Sequence, residues 1–359
     1  MSGRLAICGA SGYTGPLLAA GCEARGLDAV LVGRNRERLA AVAGSFARRV
    51  ASADDAQALR AAFSDCAVVV NSAGPFPRTA KPVLEACLAV GAHYFDVAGE
   101  AAVFAELRHY DAAARRAGGL VMPGAGFVVA AGDALAAHVV RLLPDATRLR
   151  LGFSRSDPIS RGSFASMLDL ADGYATVRRG GRLVAVNAGS LTHAFDFGAG
   201  PSAATLAPWP DPFSAYLTTG VPDIAAYLEA DAVARAAYRV ASGLATALPA
   251  ARRAAEPLAQ IWPDGPTEAQ RAATPKIVVA EAEDVYRRRA VARLNTPNVY
   301  TFTADCVTAL AQRALLGDAR PGFWTPAGLY GPDFVLGLPG VCRDDAAIDY
   351  RRSVRTTLS

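Results

Sequence analysis

"ICGASGYTGPLLAAG", residues 7–21, places Gly9, Gly12 and Gly15 three apart, after a short apolar run and before an alanine- and leucine-rich one. A strand that turns into a helix beside an anion needs this chemistry. The backbone must turn sharply, approach the charge with no Cβ in the way, and aim helix N-terminal N–H groups at it. Ser11, Tyr13 and Thr14 add side-chain donors. The alternative is a glycine-rich turn with no ligand, and the flanking sequence weighs between the two.

Working outward, residues 5–127 alternate short β-like runs ("LAIC", "AVLVG", "ARRVAS", "AVVVNSAG", "HYFDVAG", "GLVMPG") with helical windows such as "TAKPVLEACLAVG". Strict alternation of this kind predicts βαβ units, a parallel sheet and right-handed crossovers. "AVVV" lacks polar alternation, as a strand covered on both faces should. The fold class expected is therefore α/β, a Rossmann-type doubly wound parallel sheet. After about residue 145 the texture changes. "TRLRLGFS", "GRLVAVNAG", "LTHAFDFG", "KIVVAEAED" and "RRAVARLNT" read as strands, the last two as a hairpin around Glu283 to Arg287. This predicts a second domain built on a more antiparallel sheet. Residues 223–260 read as an apolar helix and "YTFTADCVTALAQRALLG" as a second one. The aromatic tail "GFWTPAGLYGPDFVLGLPG" reads as an ordered loop closing over a site. Phe323, Trp324 and Tyr330 would then join the run Ile224–Leu258 as walls of an apolar pocket, or pack as core or subunit interface.

Composition bounds the function. Hydrophobic residues make up 52% of the 359 and charged ones 19%, which excludes a disordered chain. A net charge of +4, with arginines dispersed among acids, excludes a clustered nucleic-acid footprint. Six cysteines without a CxxC pair and four scattered histidines offer no metal-ligand spacing, so no metal is expected. Buried, reduced thiols suit a cytoplasmic protein. The start of the chain does not read as a signal peptide, and the apolar run Phe127–Leu143 carries Asp133, His138 and Arg141, which argues against a membrane span.

Nineteen residues after Gly15, the second strand ends in "VGRNRER". An acid there would accept from a ribose 2′-hydroxyl, whereas Arg34, Asn35, Arg36 and Arg38 suit a 2′-phosphate. The competing reading is a solvated helix start capped by Asn35. "VVVNSAGPFP", 68–77, ends a fourth strand in small residues, where backbone can approach the nicotinamide-side pyrophosphate. A plain strand-end turn would look the same. Together these stretches point to NADP(H).

"GASGYTG", "GRNRERL", "NSAGPFPRTAKPVLEACLAVGAHYFDVAGE" and "PGAGF" resemble the saccharopine dehydrogenase-like oxidoreductases, including trans-acting enoyl reductases. The likeness continues in "RGSFASMLDL", "GPTEAQR" and "GFWTPAGLYGPDFVLGLPGV", and 71–100 is its most specific part. The resemblance implies a Rossmann domain over 1–144 joined by a carboxyl-terminal segment 300–359, with an α+β substrate or dimerisation domain inserted over 145–299, and cofactor contacts at Gly9, Ser11, Gly12, Tyr13, Thr14 and Gly15, at Arg34 and Asn35, and at Ser72, Ala73, Gly74, Pro75 and Phe76. One departure matters. Such proteins often carry an acid and a proline after the glycine-phenylalanine of the sixth strand, where this chain has "GFVVAAGD" with Val128 and Ala131. That implies a less polar substrate.

Hydride transfer needs alignment, and protonating the product needs an acid or a water. The candidate catalytic cluster is "HYFDVAGE". Tyr94 and Asp96 share one strand face and Glu100 follows at its carboxyl end, where ligands bind in doubly wound sheets. The structural alternative has Asp96 holding the loop, Glu100 favouring a helix start and Tyr94 packed. In "SRSDPISRGSFAS", Arg155, Arg161, Ser163 and Ser166 either bind a carbonyl or phosphate or cap the next helix. The expected function is NADPH-dependent reduction of a polarised C=C or C=O bond in an apolar or carrier-bound metabolite. The alternatives are an imine-reducing saccharopine-type amino-acid dehydrogenase and a non-catalytic NADP-binding sensor or scaffold. A homodimer is the expected assembly.

Overall fold

Seven parallel strands build the first sheet in the computed structural model, which describes residues 3–155, 158–170, 174–247 and 260–349. They are β1 (Arg4–Cys8), β2 (Ala29–Gly33), β3 (Ala47–Val50), β4 (Cys66–Asn71), β5 (His93–Asp96), β6 (Leu120–Met122) and the two-residue β15 (Gly322–Phe323), in the order β15-β6-β5-β4-β1-β2-β3. Every pairing is parallel. Alternate residues of one strand enter different cores. Leu5, Ile7, Val68 and Val70 face one, while Ala6, Cys8 and Val69 face the other. That two-sided burial is why "AVVV" shows no polar alternation. The strand order reverses between β1 and β4, and ligands of doubly wound sheets bind outside the carboxyl ends of strands at such a point.

The second sheet is mixed, in the order β10-β11-β12-β7-β13-β14-β16. Its strands are β7 (Arg148–Phe153), β10 (Thr192–Asp196), β11 (Pro201–Leu206), β12 (Asp223–Glu229), β13 (Lys276–Glu283), β14 (Arg289–Thr296) and β16 (Cys342–Asp349). Only β7–β12 is parallel along this path, and the hairpin β8 (Tyr174–Arg179)–β9 (Arg182–Asn187) leaves it from β12. Helix α7 (Phe127–Leu142) runs from the first sheet onto the second, and one core reaches from Leu5 through Leu135 to Leu294. Helix Val299–Leu315 packs Phe302, Cys306 and Leu310 into the same core, against α1 (Thr14–Ala24) and α7.

Three expectations need correction. "DIAAYLE" at 223–229 is strand β12, not helix; Ile224 and Ala226 enter one core while Ala225 and Tyr227 face the other side. Helix α10 spans Ala232–Ala247, and 248–259 lie outside the described residues. The segment 300–359 does not return wholly to the first domain, because β16 pairs with β14. Of the aromatic tail, Gly322–Phe323 form the sheet edge, while Pro326–Tyr330 and Phe334–Gly337 are short helical turns packed on α7. Phe323 is buried in β15 beside β6 with the Arg108 guanidinium 5.6 Å from its ring. Trp324 donates to Pro321 O, and Tyr330 donates to Asp318 O with Arg313 against its ring.

Five cysteines are buried and free, and Cys342 is exposed and free. Where α7 meets α9 (Asp211–Thr219), two carboxyls are enclosed. Asp133 accepts from Thr218 Oγ1 (2.6 Å) and Ala327 N (2.9 Å). Asp211 has no hydrogen-bond partner on either oxygen among the described residues, and Gly132 makes room for it. No helix among the described residues is long and apolar enough to cross a membrane, and none of their side chains form a metal-binding group.

Candidate active site

The three glycines of the β1–α1 loop have separate jobs. Gly9 has φ +81°, and a Cβ there would lie 2.6 Å from Ala73 N, so β4 can approach only a glycine. At Gly15 a Cβ would lie 2.2 Å from Ala10 O, so this glycine lets α1 pack on its own strand end. A Cβ at Gly12 would meet only Gly9 O, at 3.3 Å. Space is therefore kept open above Gly12, beside a helix N-terminus that no side chain caps. The residues fit a dinucleotide pyrophosphate, the ligand that such a bare, glycine-lined N-terminus takes. The hydroxyls of Ser11 and Thr14 have no hydrogen-bond partner among the described residues, and both flank that space.

At the end of β2, Asn35 caps α2 (Arg36–Ala40) by accepting from Arg38 N at 2.8 Å. Arg34 and Arg36 are exposed and held by no hydrogen bond or ion pair among the described residues, while Arg38 reaches Ser11 O at 3.5 Å. At the end of β4, Ser72 is fixed by its N–H and hydroxyl on Cys8 O (2.8 and 2.9 Å). Ala73 donates to Asn71 Oδ1 and its carbonyl accepts from Thr79. Gly74 opens onto space and precedes Pro75 through a cis peptide. Helix α4 (Phe76–Val90) then starts without a side-chain cap, with Phe76 packed in the core. The ends of β1 and β4 thus present small or backbone groups to one cleft, and the end of β2 presents cations.

The cluster on β5 resolves into two parts. Tyr94 and Asp96 do share a strand face, and the phenol donates to Asp96 Oδ2 at 2.8 Å. Both are fully buried. Asp96 Oδ1 also accepts from Ala98 N (3.0 Å) and Gly124 N (2.8 Å), and Asn71 reaches the Tyr94 hydroxyl. Burial pushes the Asp96 carboxyl up to about 6 against those hydrogen bonds, and drives the Tyr94 phenol well above its ordinary value. The pair locks the β5 end to the β6–α7 loop from inside the fold, with no exposed surface from which to touch an acceptor. Glu100 lies beyond it, accepting from Gly99 N (2.8 Å) and from Ser166 Oγ (2.9 Å) on α8 (Arg161–Leu170) of the second domain.

That contact shows what covers the cleft. Tyr13, expected to donate toward the cofactor, instead donates to Pro266 O (2.6 Å) and accepts from Arg271 (2.9 Å). Its ring meets Tyr300 edge-on at 4.8 Å. The Tyr300 hydroxyl accepts from Ser160 N (2.6 Å) and pairs with Ser163 Oγ (2.9 Å), and Ser160 Oγ caps α8 by accepting from Ser163 N. Phe164 and Trp262 stack at 4.0 Å beside them. The nearby cations are engaged: Arg155 with Asp231, Arg161 with Asp264 and Trp262 O, Arg271 with Tyr13 and Pro266 O. Sequence reading missed Tyr300, Trp262 and Ser160. Tyr300 was visible only as the first residue of a helical window, and no spacing links it to Ser160, 140 residues away.

Residues 5–122 match the family model described as "Saccharopine dehydrogenase NADP binding domain". Among solved structures, apo saccharopine dehydrogenase (L-Glu forming) from Saccharomyces cerevisiae shares the fold at TM-score 0.63 and 11% identity, covering 96% of this chain and 100% of that one. A short-chain dehydrogenase/reductase from Vibrio parahaemolyticus aligns at TM-score 0.30 and 17% identity, over 33% of this chain and 82% of its own. At that score the likeness carries no argument. Comparison with curated proteins returns no match.

Proposed function

We propose that this chain, an NADP-dependent oxidoreductase whose amino-terminal domain belongs to the saccharopine dehydrogenase NADP-binding family, reduces a polarised C=C or C=O bond in an apolar or carrier-bound metabolite, as an enoyl reductase does. The observation that supports this reading is the composition of the cleft. The second domain brings hydroxyls (Ser163, Ser166, Tyr300) and a stacked aromatic pair against the coenzyme loop and Glu100, while the guanidiniums beside them, Arg155, Arg161 and Arg271, are already engaged. Neutral donors of this kind suit a carbonyl oxygen that gains charge during reduction. NADPH, when bound, supplies the hydride. The glycine loop, Ser72–Gly74 and the α1 and α4 N-termini would hold it, and Arg34, Asn35 and Arg36 would read its 2′-phosphate. Phe164 and Trp262 exclude water. The Ser163–Tyr300 pair presents a proton to an acceptor oxygen, Glu100 orients Ser166 and can receive or return a proton, and Tyr94 and Asp96 position the loop that carries Glu100.

The second reading, imine reduction in a saccharopine-type amino-acid dehydrogenase, is favoured by the full-length fold likeness to the yeast enzyme. It calls for cations free to take carboxylates, and the engaged arginines weigh against it. A cytoplasmic setting is supported by the five buried free thiols. Homodimerisation is supported by the exposed Val233 and Val240 on α10, which share a helix face.

NADPH oxidation followed with an enoyl thioester, a ketone, and an amino acid mixed with an aldehyde separates the two chemistries. The enoyl thioester or ketone should be consumed, and Glu100→Gln should lower kcat by about a hundredfold with NADPH affinity unchanged. Turnover of the imine alone would discard the first reading. On the coenzyme side, the double variant Arg34→Ala/Arg36→Ala should weaken NADPH binding about ten- to a hundredfold, the scale of a charge-assisted hydrogen bond, and leave NADH binding as it was. Equal losses for both cofactors would remove the 2′-phosphate assignment.

A further inference from the structure

The outer face of the second sheet, turned away from α7, carries a pocket of about 310 Å³. That volume falls at the lower end of small-ligand sites, roughly 300–1,000 Å³. Its floor and walls are apolar, from Ala225, Val177 and Leu191, and its rim is cationic, from Arg148, Arg150, Arg178 and Arg179. The strand period makes this arrangement. Leu149 and Leu151 of β7 turn into the core under α7, which leaves Arg148 and Arg150 on the outer face, and the β8–β9 hairpin brings Arg178 and Arg179 to the same opening.

The charges there do not cancel. Arg148 and Arg150 share Glu283, at 2.8 and 3.4 Å. Asp223, the other acid at the rim, accepts from Gly180 N at 2.7 Å. Glu281, opposite Arg150 in register, is taken up by Arg289 and His193, so the four guanidiniums against Glu283 and Asp223 leave an excess of two positive charges. Arg178 is fixed, donating to Pro212 O and Gly181 O with its guanidinium 3.8 Å from the centre of the Tyr216 ring. Arg179 is exposed and has no partner among the described residues. The hydroxyl of Tyr227 is also without a hydrogen-bond partner there, although the residue is only 6% exposed. Tyr227 lines the pocket, and a donor open to it beside uncompensated cations and apolar walls marks a place for an acceptor.

We propose that this pocket is a second ligand site, separate from the coenzyme cleft, for a small amphiphilic anion: a carboxylate or phosphate carried on an apolar body. Arg179 and the Tyr227 hydroxyl bind the head group, the paired Arg148 and Arg150 add field, and Val177, Leu191 and Ala225 take the body. The pocket occupies the amino-terminal half of β7, whereas the other end of that strand leads through Ser154 toward α8 and the cleft.

Calorimetric titration of the full chain with octanoate, octyl phosphate, octanol and inorganic phosphate tests the site. Octanoate or octyl phosphate should bind once per chain, and the tighter of the two identifies the head group. Octanol and inorganic phosphate should each bind at least about tenfold more weakly, since each lacks one half of the ligand. Arg179→Glu, at an exposed position that does not threaten folding, should weaken the anions by at least about tenfold, and Tyr227→Phe severalfold, both with NADPH affinity unchanged. Three results would overturn the proposal: octanol binding as tightly as octanoate, Arg179→Glu binding either anion as the parent does, or Arg179→Glu converting a dimer to a monomer in sedimentation, which would make the pocket a subunit contact.

Discussion

Gly12→Val should abolish measurable NADPH binding, a loss of about a hundredfold or more, in a protein that melts where the parent does. The two halves of this expectation come from the same geometry. A Cβ at Gly12 meets only Gly9 O, at 3.3 Å, so the fold has room for the first carbon. The valine methyls then occupy the space in front of the α1 N-terminus that a pyrophosphate needs. Gly15→Ala gives the opposite pattern, because its Cβ would lie 2.2 Å from Ala10 O and the helix must move away from its strand. It should lower the melting temperature first and affect the coenzyme only as a consequence. Fluorescence titration with NADPH beside a thermal melt distinguishes the two. Normal binding by Gly12→Val would mean that the phosphates lie elsewhere.

The stability that the buried carboxyls contribute should fall as pH rises through the weakly acidic range, and Asp211→Asn should remove part of that fall. Burial raises the Asp211 carboxyl well above its ordinary value, with repulsion from Asp133 adding to it, and it raises Asp133 and Asp96 to about 6. A raised carboxyl binds its proton more tightly in the folded than in the unfolded chain. Its contribution is therefore complete below the unfolded value, about 3.9, and is lost as pH climbs to the folded one. For Asp96 and Asp133 the window is roughly pH 4 to 6, and Asp211 extends it upward. Asparagine carries no charge at any of these pH values. The variant should match the parent near pH 4 and melt at least about 3 °C higher at pH 8. A difference in melting temperature that does not vary with pH would show that Asp211 titrates normally.

The parallel sheet was readable because its strands announce themselves in two ways. "LAIC" and "AVVV" are short, apolar and bounded by glycine or polar turns, and each is followed by a helix-length window. Of the loop glycines only Gly15 is demanded by its own strand and helix; Gly9 answers to Ala73 on β4, a neighbour that no local pattern shows. "DIAAYLE" failed because alanine is silent about period. Ala225 and Ala226 face different cores in β12, yet both would suit a helix interior. Tyr94 and Asp96 were correctly set on one strand face, but spacing does not report depth, and their full burial comes from helices packed above that strand. The cover of the cleft was the least legible part. Tyr13–Pro266 and Ser160–Tyr300 are contacts between residues 253 and 140 positions apart, and no local pattern encodes such a meeting.

The last strands place β15 on one sheet and β16 on the other, and they set the timetable of folding. A ribosome that has released residues 5–122 has made most of a coenzyme domain, yet the edge beside β6 stays unpaired until residue 323 emerges. Helix Val299–Leu315, which covers α1, arrives only shortly before. The nascent chain must therefore keep an open strand edge and an apolar helix face in solution through some two hundred further residues of synthesis, the condition under which intermediates aggregate. Excising 5–122 as a free-standing coenzyme module would make that vulnerable intermediate permanent. A working fragment has to carry 299–323 with it, fused or supplied in trans.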